Sequence, residues 1–220
     1  MNKSNKLAKM NLNIVCIIFI MLLAIFLRLY KIEQIPNGVN VDEAGMAYDA
    51  FCLANFRVDR ALNKLPVYFV NFGGGQSILY GYITAIFIKL FGFRLFSMRI
   101  LAVIFNSIAI LLCYFMIKKH IGEKSALLVT LLLAINPWNI MSSRWGLDCN
   151  LLAPCLIISL FFLLKAQKWY DYILAGIAIG VTLYTYALSY AIIPIFLLLL
   201  LGYMQYKKKI TFKNIIILGI

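Results

Sequence analysis

The chain has 220 residues and is 64% hydrophobic, well above the ~45–50% apolar share of soluble domains. This composition excludes a soluble globular fold and predicts an all-α, polytopic membrane protein. The net charge of +13 comes from Lys and Arg residues in small clusters between apolar runs. Such clusters are typical of membrane topology and lipid contacts, and they argue against a nucleic-acid partner.

The chain begins with a basic segment and a first apolar run. Lys3, Lys6 and Lys9 precede the run at 12–30, and no small-residue cleavage pattern follows it. We therefore predict a retained membrane helix rather than a signal peptide. Six further apolar runs lie at about 76–93, 98–117, 125–141, 150–164, 171–186 and 190–205.

The segment after the first run holds the only adjacent carboxylates in a sequence with eight Asp and Glu residues, Asp42 and Glu43. Asn40, followed three residues later by Glu43, predicts a helix start of the capping-box type. One interpretation is that the two acids complement the positive end of that helix. The other is that they carry chemistry.

The run at 76–93 is the weakest candidate for a spanning helix, because Gly81 interrupts it and it carries Lys89. If it lies in the membrane surface, the basic clusters between the spanning runs all share one side, as the positive-inside rule requires. We therefore expect one transmembrane domain over residues 1–220, with a cytoplasmic amino terminus. Residues 31–97 then form a first outer loop with membrane-lying helices.

This topology places two acidic loops in the same compartment. Asp42 and Glu43 lie in the first outer loop, and Arg144 and Asp148 lie in the second. The turn at 184–190 adds tyrosines on the same side, although tyrosines there also suit an interfacial belt. A carboxylate can act as general base on an acceptor hydroxyl, and Arg144 can balance charge on a departing lipid phosphate. Carboxylates on separate loops can instead hold a divalent metal, and the sequence leaves these mechanisms open.

An ordered set of short motifs runs through the chain: Pro36…Asp42-Glu43-Ala44…Tyr48, Leu65-Pro66, Gly81-Tyr82, Phe91-Gly92-Phe93, Ser97-Met98-Arg99, Pro137-Trp138 and Ser143-Arg144…Asp148…Asn150. In their order and spacing these motifs resemble the amino-terminal part of the integral-membrane glycosyltransferases of the C fold, family 39. That family includes dolichyl-phosphate-mannose protein mannosyltransferases and the aminoarabinose transferases of lipid A.

The resemblance implies a C-type glycosyltransferase of the cell membrane with its active site on the outer face. It implies inverting transfer from a polyprenyl-phosphate sugar to a lipid, glycan or protein acceptor. It makes Asp42 the catalytic base with Glu43 beside it. The substrate-binding positions it implies are Asp148, Arg144, Arg99, Tyr48, Gln76 and Tyr82.

The chain departs from the family pattern in two places. Many relatives carry a Lys that meets the donor phosphate where this chain has Gly75-Gln76-Ser77, which would shift that contact to Lys64, Arg99 or Arg144. The last apolar run, 214–220, is also too short to span a membrane, so we expect a fragment that is inactive alone. The alternative hypothesis is a non-enzymatic membrane protein, either a transporter fragment or a truncated interaction partner.

Overall fold

The computed structural model describes residues 3–71 and 74–219, with side chains from residue 12 onward. The side chains of Lys3, Lys6 and Lys9, and Gly73 of the glycine run, lie outside the described part. In chain order the elements are α1 (Lys3–Leu29), α2 (Val41–Phe56), β1 (Phe69–Asn71), β2 (Gly74–Gln76), α3 (Ile78–Phe91), α4 (Leu95–His120), α5 (Glu123–Ile135), α6 (Pro137–Ser142), a 3-10 turn (Asp148–Leu151), α7 (Leu152–Lys165), α8 (Trp169–Leu183), α9 (Ser189–Tyr206) and α10 (Phe212–Ile217).

Four helical segments are long and apolar enough to cross a membrane: Leu12–Leu29, Leu95–His120, Asp148–Lys165 and Ser189–Tyr206. Together with the helical content of the described residues, this confirms the predicted all-α membrane fold. By contrast, α3 has 14 residues and is about 21 Å long, shorter than the ~30 Å hydrocarbon core. The helix in the run at 76–93 is thus short, as is α8 with 15 residues, and the membrane-lying placement of α3 stays a prediction.

The long helices give the molecule two ends. At the site end, α4 and α7 begin, and α9 begins beside the carboxyl end of α8, where the Ser189 hydroxyl donates to the main-chain oxygen of Leu183 at 2.7 Å. At the opposite end, which we call the basic end, α4, α7 and α9 finish. Each of these helices is followed or terminated by lysines: Lys118, Lys119 and Lys124; Lys165 and Lys168; Lys207, Lys208, Lys209 and Lys213. The described basic clusters therefore gather at one end.

The run at 125–141 differs from the expectation of one continuous helix. It is broken at Asn136, whose extended backbone ends α5 and whose side chain caps α6 by accepting from the main-chain N–H of Asn139 at 2.9 Å. Pro137 fits the first position of α6, where a main-chain donor is not needed. The two short helices together return the chain from the basic end to the site end.

Buried arginines tie the helix ends together at the site end. Arg28 is fully buried and donates to the main-chain oxygens of Ala24 at 2.9 Å and Ala134 at 3.1 Å. It also donates to the side-chain oxygen of Asn139 in α6. These bonds satisfy carbonyls at the end of α5 that have no partner within that helix. Arg28 thus joins α1 to the α5–α6 corner.

A compact apolar cluster lies directly behind the first outer loop. It consists of Met46, Phe69, Tyr80, Leu101, Ala102, Leu151 and Cys155. Gly81 belongs to this region, because a Cβ there would lie 2.3 Å from a ring carbon of Phe69. The glycine that interrupts the run at 76–93 therefore lets α3 pack against the hairpin of β1 and β2.

Candidate active site

Asp42 lies at the start of α2 with an exposed side chain. Asn40 caps this helix, accepting from the main-chain N–H of Asp42 at 2.9 Å, so the predicted helix start is confirmed. The side-chain nitrogen of Asn71 donates to Oδ1 of Asp42 at 3.1 Å. Gln76 donates to the main-chain oxygen of Asp42 at 3.2 Å. One carboxylate oxygen of Asp42 is thus held by the hairpin, and no described protein group hydrogen bonds the other.

The orientation of Asn71 is set by a second hydrogen bond. Arg60 donates from Nη2 to the Asn71 side-chain oxygen at 2.9 Å, so the amide nitrogen must face Asp42. Arg60 is in turn held by Asp49, which accepts from its main-chain N–H at 3.0 Å and lies 3.3 Å from its Nε. A chain of four side chains, Asp49, Arg60, Asn71 and Asp42, therefore fixes one face of the site.

Gly45 makes this arrangement sterically possible. A Cβ on Gly45 would lie 2.9 Å from the side-chain oxygen of Asn71, closer than ordinary packing allows. Sequence reasoning missed Asn71, Arg60 and Gly45. The available signal was the position of Asn71 just before the glycine run, which is typical of a tight hairpin.

Asp148 lies in the same site. Its Oδ2 accepts from the main-chain N–H of Ser77 at 3.0 Å, and its Oδ1 accepts from the N–H of Cys149 at 2.8 Å. Ser77 thus binds Asp148 in the second acidic loop, and the adjacent residue Gln76 binds the main-chain oxygen of Asp42. The hairpin end therefore joins the two acidic loops, so that Asp42 and Asp148 lie at the same end of the molecule.

Glu43 has a different environment from its neighbour. Its side chain is 0% exposed and forms a two-point ion pair with Arg99, at 2.8 Å from Nε and 3.0 Å from Nη2. It also accepts from the main-chain N–H of Gly146 at 2.9 Å. The reciprocal capping-box bond expected of Glu43 is absent from the described hydrogen bonds of α2. Glu43 instead links α2, α4 and the second acidic loop.

The two arginines predicted to bind substrate are both directed into the protein. Arg99, 0% exposed, also donates to the main-chain oxygens of Ile32, Pro36 and Gly38 at 2.7–3.1 Å. Arg144, 4% exposed, donates to the main-chain oxygens of Leu27, Tyr30 and Ile35 at 2.5–3.0 Å. Their donors hold the segment after α1 in place. Contact with a donor phosphate remains a prediction for both, and their burial argues against it.

Gln76 borders a cleft of about 230 Å³ between the hairpin and the α8–α9 turn. Its side-chain oxygen is buried and has no hydrogen-bond partner among the described residues. Tyr184 and Tyr190, from the turn between α8 and α9, line the same cleft together with Ser77 and Tyr68. The cleft therefore combines hydroxyl groups with aromatic walls.

Two of the predicted substrate-binding tyrosines lie outside this group. Tyr48 is 52% exposed on α2, and its ring stacks on Phe51 with centroids 6.5 Å apart. Tyr82 donates to the main-chain oxygen of Pro66 at 3.0 Å, which fixes the loop before β1. The structure does not bring either hydroxyl into the Asp42 network.

The sequence left open a divalent metal held by carboxylates from separate loops. Among the described residues, no group of three or more His, Cys, Asp or Glu side chains is arranged to hold a metal ion.

The helical fold presents two acidic loops and an aromatic cleft at one end, and four of its segments can cross a membrane. The sequence profile described as dolichyl-phosphate-mannose-protein mannosyltransferase matches residues 75–220, more than half of the chain. The chain belongs to that family, and the family supports the enzyme hypothesis over the non-enzymatic alternative. The matched residues include Gln76, Arg99, Arg144 and Asp148, whereas Asp42 precedes them. No curated protein and no solved structure matches the chain significantly.

Proposed function

We propose that this membrane glycosyltransferase chain transfers a sugar from a polyprenyl-phosphate donor to an acceptor hydroxyl, with Asp42 as the base. The observation that carries the proposal is the contrast between its carboxylates. Asp42 is exposed with one oxygen held and the other open, whereas Glu43 is buried and paired and Asp148 is buried and accepts main-chain hydrogen bonds. A general base needs the first arrangement, because it must reach the proton that it removes.

The proposed step is a single displacement. The acceptor hydroxyl gives its proton to the open oxygen of Asp42, and its own oxygen attacks the anomeric carbon of the sugar. The bond between that carbon and the phosphate oxygen breaks, and polyprenyl phosphate leaves with the electron pair. One displacement at the anomeric carbon inverts its configuration. Phosphate is a good leaving group, so the step requires no general acid.

The cleft beside Gln76 has a lining that suits the donor sugar. Ser77 and the tyrosines that line it carry hydroxyls that can hydrogen bond a sugar. Tyr184 and Tyr190 also supply flat aromatic surface in the cleft. We assign the donor sugar to this cleft, between the hairpin and the α8–α9 turn.

The distribution of lysines supports a site that faces the outer side of the membrane. The lysine clusters lie at the basic end, and short basic loops favour the cytoplasmic side. The Asp42 site at the opposite end would then face outward, and α2 and α3 would lie along the membrane surface.

The test is Asp42→Asn in the full chain, assayed in membranes with a panel of polyprenyl-phosphate hexoses and pentoses. We expect a loss of transfer of about 100-fold or more, since general bases contribute 10²–10⁴-fold. Asp171→Asn, at the basic end, is the matched control and should retain activity. Undiminished transfer by Asp42→Asn would remove Asp42 from the mechanism.

A further inference from the structure

A second cleft, of about 440 Å³, opens at the basic end between the last turns of α4 and α7. Its lining is half apolar and half polar. The lining residues are Phe115, Met116, Phe161 and Leu164, together with Lys119, His120, Lys165 and Gln167. No part of the proposed transfer reaction uses these residues, and the inference drawn from them does not depend on that proposal.

The two lysines that line this cleft are not held in direct ion pairs within the described part of the chain. The neighbouring Lys118 is paired with Glu123 at 2.7 Å. Lys119 and Lys165, by contrast, form no ion pair with any described side chain. The ammonium group of Lys165 lies 5.5 Å from the centre of the Phe161 ring. Two lysines outside ion pairs thus line one partly apolar cleft, and Asp171 is the acidic side chain within electrostatic range of Lys165.

The depth of the cleft in the molecule indicates where its ligand comes from. α4 has 26 residues and is about 39 Å long, and it begins next to the Asp42 site. Its last turn therefore lies at the opposite membrane surface, given a hydrocarbon core of ~30 Å. At that depth lipid head groups meet their acyl chains, so a charged and apolar cleft there matches both parts of a lipid.

Lysines at a cytoplasmic membrane surface often serve only topology and the negative ends of helices. The cluster at Lys207–Lys209 follows α9 and fits that description, and Lys119 and Lys165 also suit the negative helix ends, because they lie in the last turns of α4 and α7. Lys119 and Lys165 differ in lying on two separate helices that enclose apolar surface between them. Such a pair can hold a phosphate from two sides while its acyl chain lies against aromatic rings.

We propose that this cleft binds an anionic phospholipid of the leaflet at the basic end. The phosphate accepts from Lys119 and Lys165, and the first part of an acyl chain packs against Phe115 and Phe161. The net negative charge of the lipid selects it over zwitterionic lipids, because two lysines outside direct ion pairs favour an excess negative charge.

The experiment compares lipid binding by the full chain purified in detergent, using native mass spectrometry. The probes are phosphatidylglycerol and phosphatidylcholine with identical acyl chains. We expect phosphatidylglycerol to bind the natural chain more tightly. The double variant Lys119→Gln/Lys165→Gln should bind it about 25-fold more weakly, at about five-fold per lysine. Lys207→Gln/Lys208→Gln removes the same charge from the same end and should change binding less than three-fold.

Three results would overturn the proposal. Equal affinity for phosphatidylcholine would show that the cleft does not select lipids by their net charge. An equal loss in the Lys207→Gln/Lys208→Gln control would reduce the effect to general surface charge. Competition by millimolar inorganic phosphate would assign the cleft to a soluble anion. The thermal unfolding midpoint of each variant reports its folding. Should the double variant unfold, Lys165→Gln alone carries the test, with a five-fold loss expected.

Discussion

Asp42 and Glu43 are adjacent in the chain, yet the carboxylate of Asp42 is exposed and that of Glu43 is 0% exposed and paired with Arg99. Consecutive side chains of a helix point about 100° apart, so one is exposed and the other faces α4. The pair therefore divides two tasks that the sequence cannot separate. We assign chemistry to Asp42 and the assembly of the site to Glu43.

Replacing Glu43 should lower the stability of the folded chain. Glu43→Gln leaves the Arg99 charge buried without its partner, and breaking such a pair costs about 3–5 kcal/mol. The measurement is the unfolding midpoint in detergent. Glu33→Gln is the matched control, because Glu33 forms a two-point pair with Arg94 in which both side chains are exposed, and it should change the midpoint far less. Equal shifts in the two variants would contradict a structural role for Glu43.

Asn71 is expected to position the base without touching the reacting atoms. Asn71→Leu keeps the number and branching of the side-chain heavy atoms but removes the hydrogen bond to Asp42, and misplacement of a catalytic group by ~1 Å can cost ~100-fold in rate. We therefore expect kcat to fall by about that factor while KM stays nearly constant. Asn55→Leu, on the exposed face of α2, should leave both constants unchanged. A rise in KM alone would indicate that Asn71 binds substrate instead.

Gly146 should tolerate no side chain. A Cβ there would lie 2.9 Å from the main-chain oxygen of Met98 and 3.1 Å from Oε1 of Glu43. Gly146→Ala should therefore destabilise the chain by about 1–3 kcal/mol, the usual cost of overpacking. Gly180→Ala, in α8 with nothing within 4 Å of its Cβ, should be neutral or stabilising. Thermal unfolding of the two variants side by side decides the point.

Asp49 gives a pH dependence of known sign. Burial raises the pKa of Asp49 above its ordinary value of 3.8, and the main-chain hydrogen bond and the charge of Arg60 offset this only in part. The folded chain then holds the Asp49 proton more tightly than the unfolded chain. The Asp49 contribution to stability thus falls as the pH rises from below about 3.8 through the raised pKa. The unfolding midpoint of the natural chain, relative to Asp49→Asn, should fall from pH 3 to pH 7; a relative rise would contradict the prediction.

Much of the fold follows from local patterns. The apolar runs and their lysine boundaries predicted the long helices, and Gly81 with Lys89 marked the run at 76–93 as too weak to span. The start of α2 was predicted because the Asn40 cap depends only on neighbouring residues. The break at Asn136 was missed, since hydropathy continues through it although Pro137 offered a signal.

The site was less predictable, because its geometry depends on distant partners. The sequence places acids in two loops, but it does not show that Glu43 meets Arg99, 56 positions away. Arg144 is of a residue type that often binds anionic substrates, and only the structure shows that its donors are used by main-chain oxygens. Asn71 has no motif of its own, and its importance comes from its place between Arg60 and Asp42.

The bonds of Arg144 also order events during synthesis. The oxygens that it binds, on Leu27, Tyr30 and Ile35, precede it by 109–117 positions. The end of the first helix therefore lacks these hydrogen bonds until several later helices have been synthesised and inserted into the membrane. A nascent chain stalled before residue 144 would expose this gap, and protease sensitivity there would end once synthesis passed that arginine.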